Sequence, residues 1–522
     1  MIRGKKRPVQ TPAPIVLDTG IHNRFDVEIV DAKTGELKRK ARAFNVVCDG
    51  LWTALNKSFS VTGYGGWFKS IAYGNGTGTP SGGDAALFNQ IGKMVGEHVS
   101  FGIDYKNSHV WIRKDISITE TVAVGETITE VGIVDADNIL CTHAMLQDMN
   151  GNQISIEKSD TDIVNVYATI FVHVDPKLLD VDAPVQVSLY SAKSDLSILR
   201  LIMGWHSGKG SVRFIPVKGR VFTNGTNDNE KVNTVIPITT AYDAEKRTIS
   251  FSGRSAAVNN NIAGGFGWLV MHGVTDYNYT GYTSNSVILK TISPVFNGSN
   301  IIGEAVGTGD GETTEFATKY DLPKNAKIYV DGVLQTDVTV DCVPLSYQNM
   351  GQYFQAIAVE DGVAYPKVPL HGYAKECLTS DKIGDVNKSD NIFYNPYFEY
   401  GIKSFKYGAW GGVFISDDLE NWVTVSGSLT GTGLASGTYT MPDEYKHYRY
   451  FRIIDNYGTI NYDDYMCNFV TEGLTGKNIH FATPPAAGAV ITADYETEVV
   501  TKDSNHVFDL NVVIRLGEYT ES

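Results

Sequence analysis

The sequence predicts an all-β, multi-domain chain of β-sandwich or jelly-roll modules, one of them interrupted by an inserted domain. Three observations predict it. The chain has 522 residues, too many for one core, and domains of roughly 100–200 residues would give about three or four units. Its composition is rich in Gly (52), Tyr (28) and Phe (22). Aromatic and β-branched side chains suit a pleated, half-buried surface, and glycine supplies the positive-φ positions of tight turns. Finally, short alternating segments recur between Gly, Asn, Asp and Pro clusters, as strands and turns do.

In chain order, residues 1–16 read as an extended N-terminal arm punctuated by Pro8, Pro12 and Pro14. Residues 17–182 form a first β domain. Arg24-Phe25-Asp26-Val27-Glu28-Ile29-Val30 alternates polar and apolar, Asp31–Glu36 is a turn, and Ala41–Cys48 completes a hairpin. Leu51–Leu55 is a short helix behind Asp49. Ile71–Pro80 is a strand running into a glycine loop, and strands follow at Val110–Ile118, Thr127–Ile133, Ile139–Gln147 and Ile163–Val174. Residues 183–302 read as a second β sandwich, with strands at Val185–Leu189, Arg213–Pro216, Arg247–Phe251, Trp268–His272 and Ser286–Ile292. Residues 303–342 and 478–522 form one small β domain split in sequence. Its signals are the Asp331-Gly332 hairpin turn and two strands around Pro484–Gly488. Residues 343–477 differ in character and read as a domain inserted at a loop tip.

A net charge of −15 argues against nucleic acid as a partner of the whole chain. Two basic clusters, Arg3–Arg7 and Lys38–Arg42, read as solvated charge. No apolar run is long enough to span a bilayer, so membrane insertion is not expected, and no apolar stretch follows the basic start as in a secretory signal. Five scattered cysteines, Cys48, Cys141, Cys342, Cys377 and Cys467, fit reduced thiols made in a cytosol.

Motifs for catalysis fail on context. Gly74-x-Gly76-x-Gly78 lacks the Lys-Ser/Thr of a phosphate loop. Cys141 and His143 share a strand face but have no partner pair at zinc-finger spacing, so His143 reads as packed or hydrogen-bonded. Around Ser207, Trp205 and Lys209 stand where a nucleophile elbow needs glycines. No enzyme is expected, no catalytic or metal-binding residue is assigned, and no cofactor is implied. The insertion offers Tyr407 and Trp410, aromatics that suit stacking on sugar rings, and Trp422, which reads first as a jelly-roll core residue and second as a glycan contact, together with a strand carrying Arg449 and Arg452.

Residues 412–454, through "VFISDDLENW" and "YRYFRII", resemble the discoidin-like (coagulation factor 5/8 type C) sandwich. That resemblance implies glycan or lipid binding through end loops; some members carry a structural calcium ion, but the Asp417-Asp418 segment by itself reads as a turn. The pieces "GDGETTEF", "IYVDGVLQT" and "IHFATPPAAGAVITADY" resemble a small module of bacteriophage tail and fibre proteins. The pieces "NRFDVEIVDAKTGE", "AYGNGTGTP", "TITEVGI" and "LCTHAMLQDMNG" are similar to a virion-protein domain of phages infecting Gram-positive hosts. Together these imply a virion protein of the tail tip, baseplate or fibre class, assembled in the bacterial cytoplasm. Its expected partners are other virion proteins, further copies of itself (a trimer foremost) and a host-surface glycan. The alternatives are a capsid decoration or head-fibre protein, and a polysaccharide depolymerase with its carboxylates in residues 183–300.

Overall fold

The computed structural model describes residues 14–55, 66–96, 98–183, 185–189, 211–217, 236–254, 262–266, 268–274, 282–290, 300–319, 322, 326–340, 355–366, 390–395, 398, 402–407, 413–425, 437–454, 468–471, 478–496, 500–502 and 509–519. Strands make up 56% and helix 5%, so the protein is all-β and carries several separate sheets. No helix among the described residues is long and apolar enough to cross a membrane. The arm at Arg3–Arg7, the Ser207 turn, Trp410, Cys342, Cys377 and Cys467 lie outside the described residues.

The strand Ile15–Asp31 organises the N-terminal region. Every second side chain from Leu17 to Ile29 is buried, because a strand sends alternate residues to opposite faces. Ile15 and Val16, expected in the arm, belong to this strand and pair with Val512 and Val513. On one side it runs antiparallel to Asp162–Val174. On the other, its first half runs parallel to Asp509–Glu518 and its second half antiparallel to Leu37–Phe44. The polar positions of that hairpin pair across it. Lys38 reaches Asp31 at 2.9 Å, Lys40 reaches Glu28 at 2.9 Å and Arg42 reaches Asp26 at 3.1 Å, and Lys38 also reaches Asp162 on the next strand at 2.7 Å. The basic cluster Lys38–Arg42 is thus neutralised largely within the chain.

A 12-stranded sheet continues outward from Ile15–Asp31 in both directions. Beyond Asp162–Val174 come His109–Ile118 and His98–Asp104. Beyond Asp509–Glu518 come Thr248–Arg254, Ile236–Asp243, Ser211–Val217, Trp268–Val274, Tyr282–Lys290 and Val185–Ser188. The sheet therefore crosses the expected boundary at 182/183. It also takes in Asp509–Glu518, which the sequence reading grouped with the split module. The physical reason is the alternating apolar set Leu510, Val512, Ile514 and Leu516, which completes the large core rather than a small one. A five-stranded sheet, ordered Val46–Val47, Leu140–Met145, Glu130–Val134, Ser70–Gly74 and Gln90–Val95, packs with it around that core.

Residues 300–340 and 478–496 pair with each other. Asn300–Thr308, Val490–Glu496, Lys327–Val330 and Val333–Leu334 form one sheet; Glu315–Ala317, Asn478–Phe481 and Val338–Val340 form another. Their core contains Leu322, Ile328, Ile479, Phe481, Ile491, Ala493 and Tyr495. At the Asp331-Gly332 turn both residues have positive φ, 49° and 78°, the backbone of the tight hairpin turn that the pair of residue types favours.

The described strands between Gln355 and Thr471 pair only among themselves. A six-stranded sheet has the order Val363–Pro366, Gln355–Glu360, Asp390–Tyr394, Tyr450–Ile454, Val413–Ser416, Val423–Thr424. A three-stranded sheet has Gly437–Thr440, Ile402–Tyr407 and Asn468–Thr471. The chain leaves the small module at Val340 and returns at Asn478, and Val340 is paired with Ile479. The two connections therefore stand on neighbouring strands.

Candidate functional site

Asn395 and Phe398 meet two segments of the insert, 416–422 and 445–449, at one end of its larger sheet. Pairing of Ser416 with Tyr450 brings the two segments together. Asn395, fully buried, is fixed there, because its amide N–H donates to the Arg449 carbonyl at 2.7 Å and its side chain donates to the Tyr448 carbonyl at 3.3 Å. The Arg449 guanidinium sits 4.5 Å from the Phe398 ring centroid, a cation–π distance. A ring nitrogen of His447 lies 2.8 Å from the Phe398 carbonyl. Arg449 and His447 are exposed, and Tyr445 and Tyr448 are half-buried. This end presents the Arg449 cation and the His447 ring beside aromatic faces, a surface able to bind sugar hydroxyls or anionic groups.

The expected glycan residues fare differently. Trp422 belongs to this end and is half-buried, with the Arg452 guanidinium 5.9 Å from its ring. Its indole N–H donates to the Leu419 carbonyl at 3.0 Å. Tyr407 ends the strand Ile402–Tyr407 in the other sheet. Trp410 lies outside the described residues.

The acidic turn is a self-capped structure. The Asp418 carboxylate accepts the amides of Glu420 and Asn421, at 2.9 and 2.8 Å, and the Asn421 side chain at 2.7 Å. The Asn421 amide, first among these donors, holds its carboxyl well below the usual range. Asp417 accepts the Arg449 amide at 3.0 Å. Both carboxylates thus accept backbone amides of this end, and among the described residues no group of three or more His, Cys, Asp or Glu is placed to hold a metal ion.

A buried charged constellation lies elsewhere, under the glycine loop at 74–78. Glu130 and His143 are fully buried neighbours on paired strands. One Glu130 oxygen accepts the amides of Gly76 and Asn89, at 2.9 and 2.8 Å; the other accepts the amide of Phe88 at 2.9 Å and lies 2.8 Å from His143 Nε2. His143 Nδ1 is 2.7 Å from Asp84, which in turn accepts the Ser81 hydroxyl at 2.8 Å. Burial works to raise the Glu130 carboxyl, but His143 and the three amides outweigh it and hold it below its usual value. Burial likewise works to lower the His143 imidazole, but Glu130 and Asp84 outweigh it and raise it.

This arrangement explains the glycines. A Cβ on Gly76 would stand 2.6 Å from a Glu130 oxygen, and one on Gly74 would stand 2.4 Å from it. The loop does cradle an anion, as glycine loops do, but the anion is the chain's own carboxylate. Both imidazole nitrogens face carboxylates, so the ring has no free nitrogen with which to activate a nucleophile. The site is a clamp on the loop. The sequence reads His143 as packed or hydrogen-bonded but gives no sign of Glu130, whose position in "TITEVGI" is only one polar residue of a strand.

A groove of about 770 Å³ runs along the outer face of the large sheet, lined by Pro14, Val16, Tyr242, Asp243, Val513 and Arg515 among others. Its Asp243 is bonded to Lys246 Nζ at 2.6 Å, and that contact pulls its carboxyl below the usual value. Comparison with known proteins found no matching family model, no matching curated protein and no matching solved structure.

Proposed function

We propose that the chain is a structural component of a bacteriophage particle, of the tail tip, baseplate or fibre class, whose insert attaches to a glycan of the host surface. The observation that carries this reading is the connection of the insert. It leaves and rejoins the small module on adjacent strands and collects Arg449, His447, Phe398 and Trp422 at one end of a sheet. A module on paired tethers can vary its loops without disturbing the scaffold beneath. The sequence resemblances at Gly309–Phe316, Ile328–Thr336 and Ile479–Tyr495 supply the phage assignment. Repetition in a symmetric oligomer, a trimer foremost, would multiply weak sugar binding.

Immunogold labelling of particles with antibody to this chain tests the assignment. Label at the tail tip or baseplate is the expected result; label over the capsid favours the head-fibre alternative, and unlabelled particles overturn the virion reading.

A further inference from the structure

The insert is attached to the rest of the protein at a second place, beside the loop end just described. After the 3-10 turn Pro176–Leu179, the loop at 180–183 reaches the insert. Val181 is buried in a cluster with Ile357, Ala364 and Tyr394, and Ile392, Leu419 and Tyr450 pack against it. The Tyr394 hydroxyl donates to the Asp182 carboxylate. Burial and then Asp182 push the Tyr394 phenol far up, so it stays a donor at any ordinary pH. Nearby, the Tyr105 and Tyr365 rings stack with centroids 4.4 Å apart. The loop is stiff on its own side: the Gln186 side chain donates to the Val181 carbonyl at 2.6 Å and the Asp182 amide donates to Asp180 at 2.8 Å.

Leu419 belongs to both this dock and the loop end. Its side chain packs on the dock cluster, and its carbonyl holds the Trp422 indole N–H. Its amide donates to the Ser416 hydroxyl at 3.0 Å. Its backbone stands at φ 67°, a left-handed conformation that is an outlier for a bulky side chain and persists only where its surroundings enforce it.

We propose that Leu419 couples the Trp422 turn to the dock, so that the conformation of the turn and the docking of the insert depend on each other. Undocking removes the packing that keeps Leu419 left-handed, and the turn relaxes. Conversely, a rearranged turn withdraws Leu419 from Val181 and Tyr394. Such linkage is reciprocal by thermodynamic necessity. On the adhesion reading above, a ligand that draws the indole away from the Leu419 carbonyl would loosen the insert from the N-terminal region.

The test is hydrogen exchange measured by mass spectrometry on the full chain, without ligand, for Tyr394→Phe and Leu419→Ala. Tyr394→Phe removes one hydroxyl at the dock and is expected to speed exchange of the 418–422 amides by about tenfold, within the usual range of coupling between sites. Leu419→Ala is expected to speed exchange at 355–366 and 181–188. Amides of Lys327–Val330 and Val490–Glu496, in the small module, should not change and show that the variants are folded. Changes confined to the segment carrying each substitution would overturn the coupling. Because no ligand enters, that outcome would leave the adhesion reading standing, and failed adsorption would leave the coupling standing.

Discussion

Replacing His143 by alanine tests the clamp under the glycine loop. The side chains of His143 and Glu130 are both 0% exposed and 2.8 Å apart, so His143→Ala leaves a buried carboxylate without its cation. Breaking a buried ion pair from one side costs about 3–5 kcal/mol. In a folding unit of about 150–250 residues each kcal/mol moves Tm by about 2–4 °C, so the expected fall is roughly 6–20 °C. Calorimetric unfolding at neutral pH measures it. Glu130→Gln alone should also destabilise, since it leaves His143 without one carboxylate and turns an N–H toward amide donors. The double variant should lose clearly less than the sum of the two, because the residues share one network. A loss below about 1 kcal/mol for His143→Ala, the scale of an exposed pair, or strict additivity of the two substitutions, would refute the clamp.

Three further outcomes follow from the same geometry. Gly76→Ala should destabilise by about 1–3 kcal/mol, the scale of overpacking, because its Cβ would come 2.3 Å from the Phe88 Cβ; circular-dichroism melts would show it. Stability should fall in acid through the cluster of His22, His109 and His173, where His22 and His173 ring nitrogens lie 3.0 Å apart and Tyr519 stacks on His173. Burial, then neighbouring cations, hold His22 down to about 3 and His173 down to about 4, against an ordinary 6.5. The unfolded chain therefore takes up these protons first, and stability complete above 6.5 is lost as pH falls toward 4 and 3. Substituting both by Asn should flatten the acid limb of urea midpoints plotted against pH, and an unchanged slope would contradict it. The surface pair Lys40–Glu28, 54% and 30% exposed, should yield a coupling of at most about 1 kcal/mol in a double-mutant cycle.

Much of the fold was legible because β structure writes its inward face locally. The alternation at Arg24–Val30 and the Asp-Gly pair at 331–332 encode a strand and a turn without reference to distant residues. The partner of a strand is not encoded that way. Nothing near Ile15 announces Asp509–Glu518, and the bond from the Thr19 hydroxyl to the Arg515 carbonyl spans 496 positions. The Gln90–Val95 strand escaped notice because it lies at a sheet edge and has no fully buried residue, so its pattern is faint. At the candidate site, Trp422 was legible as an aromatic after a polar turn and Arg449 as a polar position of a separate strand. The contribution of Phe398 and Asn395 was not, since it arises where these residues meet the other two segments. Glu130 shows the same limit: glycines mark where an anion sits, but not that the anion is internal.

The adhesive role proposed for the insert is tested most directly by particle adsorption. Residues 343–477 would be replaced by a short glycine–serine linker, which the pairing of Val340 with Ile479 allows to close. Binding of the resulting particles to host cells and to isolated cell-wall polysaccharide would then be measured. The account predicts particles of normal assembly that no longer adsorb, with Arg449→Ala in the intact chain weakening adsorption in the same direction. Normal adsorption by particles lacking the insert would contradict it.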